Sequence, residues 1–94
     1  MTDREDLQDV REIAALGEQM EGVLKSDAFK TGLTLARARI FEEWSRAASP
    51  AIREELHAEQ RALERLLEAF RTLDEEGVVA REAIRQFNES ATDL

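Results

Sequence analysis

Between Ser49 and Gly77 the chain reads SPAIREELHAEQRALERLLEAFRTLDEEG, and this stretch limits the possible folds more than any other. Ser49 suits an N-cap, because its hydroxyl can accept a hydrogen bond from an unpaired amide of the first turn. Pro50 then falls at the first helical position, where a missing N–H costs nothing and a fixed φ already suits the helix. Gly77 reads as the stop, since glycine enters the left-handed conformation of a helix end without strain, and Val78 would fold back on Leu73. Between these caps Ile52, Leu56, Leu63, Leu66, Phe70 and Leu73 repeat in steps of four and three, with Glu59 in the one vacant place. That spacing draws one apolar stripe along a helix of roughly 40 Å. The stripe requires a partner, and the rest of the chain is read for what could supply it.

The segment upstream is helical in two further pieces. Thr2-x-x-Glu5 has the form of a capping box, and Asp3, Glu5 and Asp6 suit the positive end of a helix dipole. Val10, Ile13, Gly17, Met20 and Leu24 then keep helical spacing, with Leu7, Leu16 and Val23 beside them. Gly17 costs ~1 kcal/mol relative to alanine inside a helix, so its place on the stripe suggests a close approach by another helix. Ser26-Asp27 interrupts the pattern and can cap a second helix. Phe29, Leu33, Ala36, Ile40, Trp44 and Ala47 form its stripe, while Leu35, Ala38 and Phe41 lie off it. A helix apolar on more than one side is expected to sit between neighbours. After Gly77, Val79, Ala80, Ala83, Ile84 and Phe87 predict a short fourth helix. Period-two alternation is absent throughout.

The expected fold is therefore all-α, one domain over 1–94. A long antiparallel helical hairpin, about 27–48 and 50–76, joins through a very short turn. A helix over about 3–25 precedes it and one over about 79–89 follows. The Phe29-to-Trp44 stripe should face the Ile52-to-Leu73 stripe. Faces left over, through Leu35, Phe41, Trp44, Leu67, Val10, Ile13 and Met20, become the candidate protein-interface residues, with Ala62 lying off the main stripe beside Leu67. Covering them calls either for the first helix to fold back over the pair or for association, and association, as a homo-oligomer, is the expectation.

The formal charge of −8 argues against nucleic-acid binding through the general surface and against docking on an anionic membrane. Only the second helix is basic, through Lys30, Arg37, Arg39 and Arg46. There is no cysteine, so no disulfide and no thiolate metal site. The polar N-terminus does not read as a secretion signal. Glu54-x-x-His57 is half of the carboxylate-bridged di-iron motif of ferritin-like bundles. Both residues lie off the stripe and should face water, so they are metal candidates only if a dimer supplies the second half. Glu59 reads as a stripe edge reaching water; buried, it would look to Arg37 or Arg39. Trp44 suits a core place with its indole N–H at the rim. His57 has no serine or cysteine partner by motif, and the four glycines build no phosphate loop. No catalytic residue and no cofactor are expected.

One resemblance bears on function. The stretch from Lys25 to Gly77 resembles small helical proteins of tailed phages and prophages, encoded near packaging, portal and head genes. The residues that carry it are Phe29, the Phe41-x-x-Trp44 helix end, Ser49-Pro50, Arg53 to Leu56, Leu63, Leu67 and Gly77. The resemblance implies a non-enzymatic structural or assembly-accessory role, with portal, capsid or packaging proteins as partners, in the host cytoplasm or the phage particle. It identifies no functional residue. Two rival functions stand beside it: an acidic inhibitor or nucleic-acid mimic that occupies a basic groove on a host protein, and a dimeric ferritin-like metal protein using Glu54 and His57.

Overall fold

The computed structural model describes the backbone of residues 3–92 and the side chains of 6–91. Three helices follow in order: α1 over Asp3–Lys25, α2 over Asp27–Arg46 and α3 over Pro50–Thr92. The all-α expectation holds, and so does the antiparallel hairpin. Successive residues of α2 meet α3 in reverse order. The Phe29 and Phe70 rings lie 5.9 Å apart, Arg37 binds Glu64, and Trp44 meets Arg53. The proposed capping box falls at Thr2–Glu5, outside the described side chains.

A single residue separates α1 from α2. Ser26 is extended, with φ −69° and ψ 141°, and its hydroxyl accepts from the Phe29 amide at 3.1 Å while donating to the Val23 carbonyl at 2.9 Å. One hydroxyl thus ends one helix and starts the next, as its cap role requires. At the other turn Ala47 is also extended, and Arg53 donates from Nε to the Ala47 carbonyl at 3.1 Å. The Ser49 carbonyl accepts from the Arg53 amide at 3.1 Å, so α3 starts where Ser49-Pro50 places it.

The largest departure lies at Gly77. The reading of Gly77 as a left-handed cap, with a separate helix after it, is overturned: no described glycine has a positive φ, and α3 runs through Gly77 to Thr92. At 1.5 Å per residue its 43 residues reach ~65 Å. The reason is tertiary. A Cβ built on Gly17 would stand 2.4 Å from the Gly77 Cα and 2.9 Å from the Leu73 carbonyl oxygen, so the two backbones touch where α1 crosses α3. Glycine at Gly77 serves the crossing, and that contact offsets its ~1 kcal/mol cost inside a helix. Gly17 does allow the close approach its position suggested. Ala14 and Ala80 are buried near the same crossing.

Because Phe29 lies at Phe70, the end of α1 lies on the Phe70 side of Gly77. So α1 is antiparallel to α3, as α2 is. The two short helices follow one another along the spine formed by α3, and α1 does not fold over the α2–α3 pair. Arg81 Nη2 to Glu21 Oε2 at 3.4 Å, and Glu21 to Lys25 at 2.6 Å, tie the α1 crossing at its edge. The result spans 70 × 30 × 13 Å, which is one layer of helices.

The α3 stripe is rotated from its expected position. Among the described residues Leu56 and Leu67 are the buried large side chains, at 6% and 4% exposure, with Leu63 half-buried between them and Phe70 half-buried one turn beyond. Ile52 and Leu66 stand outside. Leu67, expected on the free face, is instead the most buried apolar residue of α3. The seam continues from Leu67 and Phe70 through Asp74 and Gly77 to Ala80. Its second half is polar or small, so no stripe of large apolar side chains marks it in the sequence. Nor does α2 sit between neighbours, for none of its residues is fully buried.

Glycines away from the crossing supply a control. A Cβ added to Gly22 meets nothing within 4 Å. Gly22→Ala should therefore raise stability by ~0.4–1 kcal/mol, through helix propensity and the unfolded chain alone. A thermal melt reads the sign.

Candidate functional site

What α1, α2 and α3 leave uncovered is the main chemical feature of this surface. Val79 and Phe41 are 70% and 69% exposed. Ile13, Leu16, Val23, Leu35, Trp44, Ile52, Leu66, Val78 and Phe87 are also exposed. Two helices in contact can cover only one flank of each, and a single layer has no second layer to cover the other. Of the interface candidates, Leu35, Phe41, Trp44 and Ile13 are exposed, Val10 and Met20 are half-exposed, and Leu67 is interior.

Two grooves gather these residues. One, between α2 and α3, is lined by Phe29, Gly32, Leu33, Leu63, Leu66 and Phe70, with no charged side chain among its walls. The other lies where Val10 and Ile13 of α1 flank Thr72, Glu75, Glu76, Val79 and Ala83 of α3. This second groove is apolar at its base with two carboxylates at its side, and the sequence reading missed it. Heptad positions on a face other than the seam carry it, and Gly77 as a stop had cut that face in two.

At the hairpin end, Glu54 and His57 are exposed and share a shallow groove with Trp44, Arg53 and Arg61. The Arg53 guanidinium lies 5.1 Å from the Trp44 ring centroid, a cation–π contact at the rim. Trp44 is thus a half-open platform and not a core residue. Two guanidinium groups beside His57 disfavour a cation at this place. Among the described residues no three His, Asp or Glu side chains converge as a ligand set. Glu59 is exposed, as a stripe edge would be.

Arg37 pairs with Glu64 and not with Glu59. Its Nε reaches Glu64 Oε1 at 2.8 Å and its Nη2 reaches Oε2 at 2.9 Å, a two-pronged bond that crosses from α2 to α3. Gln60 adds a third donor at 3.0 Å. The Arg37 hydrogen bonds lower the Glu64 pKa, partly opposed by desolvation. A carboxylate whose folded pKa is depressed contributes stability above its unfolded titration range. That contribution is lost as pH falls through the folded value. Arg37→Ala should thus lower the urea midpoint at pH 7, and the gap to the wild type should close in acid, below the ordinary glutamate range of about 4.

No helix among the described residues is long and apolar enough to cross a membrane. No protein-family model, curated protein or solved structure matches this chain.

Proposed function

We propose that this chain is a non-enzymatic assembly protein that works by helix-mediated contact with other protein surfaces. One observation carries the reading: among the described residues the single-layer hairpin buries only four apolar ones, Ala14, Leu56, Leu67 and Ala80, while exposing eleven large ones. Monomers rarely leave contiguous apolar patches above a few hundred Å². A surface of this kind is stable in water when a partner covers it. The setting we propose, through the likeness of Lys25–Gly77 to small phage proteins, is a tailed-phage particle, with portal, capsid or packaging proteins as partners. The chain would then work in the host cytoplasm or within the particle.

Sedimentation at micromolar concentration, alone and with candidate portal or capsid proteins, tests this reading. The expected result is a complex heavier than the 10.7 kDa chain. A chain that binds neither itself nor these proteins overturns it. The charge of −8 supports the rival, an acidic inhibitor on a basic groove, and that outcome would favour it.

A further inference from the structure

The face of α3 turned away from the α2 seam carries Ala58, Ala62, Arg65, Ala69, Thr72, Glu76, Val79 and Ala83, in strict steps of four and three. That period keeps all eight on one side of a helix. Every one of them is exposed. Neither Arg65 nor Glu76 makes an ion pair among the described residues, although the other charges along α3 include Arg37–Glu64, Arg71–Glu68 and Arg85–Glu82 pairs. The face continues into the groove between Val10, Ile13 and Val79, where Glu75 and Glu76 form the acidic side.

We propose that the occupant of this face is a second copy of the chain, its α3 antiparallel to the first about a two-fold axis between Phe70 and Arg71. This rests on the contact reading above and names the partner. The face is self-complementary, as a two-fold interface demands of one surface. Turned end for end about that axis, the face meets itself in register. Ala69 falls opposite Thr72 of the partner subunit, and Ala62 falls opposite Val79 of the partner subunit. Ala58 falls opposite Ala83 of the partner subunit. The only two charges on the face then meet as opposites, Arg65 against Glu76 of the partner subunit, twice by symmetry. Short side chains on both sides of the axis let the two helices approach closely. The partner's α3 lies over the groove beside Val10 and Ile13, so Val79 leaves water. A parallel pairing in register would set Arg65 against Arg65 and Glu76 against Glu76, which disfavours it. Charge complementarity thus selects orientation and register together.

Sedimentation equilibrium of Arg65→Glu, Glu76→Arg and their combination tests the pairing. Both positions are exposed, so circular dichroism should show each variant folded. The wild type should be a dimer of the 10.7 kDa chain at tens of micromolar. Each single reversal should weaken it about tenfold, since two pairs turn repulsive at once. An equimolar mixture of the two single variants should restore dimers, because opposite charges then face at both sites, and the combined variant should dimerise alone. The chain has no cysteine, so Ala62→Cys with Val79→Cys gives a second readout. The two positions lie ~25 Å apart in one helix, too far for an internal disulfide, so oxidation should give a covalent dimer. A dimer indifferent to all three charge variants overturns this face and leaves the contact reading intact. A monomer that binds a portal or capsid protein through the same face, with binding lost in Val79→Arg, assigns the face to another protein and overturns the second copy. A monomer that binds nothing overturns both.

Discussion

Gly77→Ala and Gly17→Ala should each lower the melting temperature, against the direction that helix propensity dictates. Alanine in place of glycine within a helix normally gains ~1 kcal/mol. Here the added Cβ would stand 2.5 Å from the Gly17 Cα in one variant and 2.4 Å from the Gly77 Cα in the other. These neighbours are backbone atoms, which cannot swing aside as a side chain does. The helices must separate, and overpacking of this kind costs ~1–3 kcal/mol, occasionally more. In a chain of this length each kcal/mol moves the melting temperature by ~4–8 °C. Gly22→Ala, which meets nothing, should move it the other way. Larger residues at either crossing position should detach α1 from the spine. Melts that rise for both crossing variants would show that α1 does not cross α3 at these residues.

Leu67→Ala is expected to have the second large effect. Leu67 is buried and shares the α2–α3 groove with Phe29, Leu33 and Phe70, and truncation of a buried leucine costs ~2–5 kcal/mol. Few other side chains share the load, since among the described residues Leu56 is the only other large buried apolar one. Leu66→Ala, one residue away, should cost far less in the isolated chain, because its side chain is 53% exposed. The pair reads the rotation of the helix directly: equal urea midpoints for the two variants would place the seam back on the stripe through Leu66.

The fold class, the hairpin, the Ser26 break and the Ser49-Pro50 start were legible in the sequence because caps act within one turn and their partners are local in sequence. The role of Gly17 was legible because glycine on an apolar stripe has few other uses. Gly77 was misread for the converse reason. A glycine after acidic residues and before a valine has the local form of a helix end, and only the backbone of α1, sixty residues upstream, overrides it. The Leu66–Leu67 ambiguity has another cause. Both residues fall on four-three patterns, and α3 is apolar over more than one stripe. Which stripe faces inward depends on the helix that reaches it first. The exposed surface was legible as an excess of apolar positions, and its register was not, because a stop at Gly77 divided the Ala58–Ala83 face.

The uneven grip of α3 on its two companions has a consequence for local opening. The α1 contact brings backbone against backbone at Gly17 and Gly77, while α2 contributes no fully buried residue and rests on the Phe29–Phe70 contact and the Arg37–Glu64 bond. Ser26 alone connects them, and it holds each helix end by its own hydrogen bonds. Helices α1 and α2 can therefore come loose from α3 separately. Amide hydrogens of α2 should exchange with solvent well before those of α1 around Gly17, since free energies of local opening follow the contacts each segment makes. The Trp44 end of the hairpin is then the part free to reshape against a partner, and the glycine crossing is the part that keeps its form.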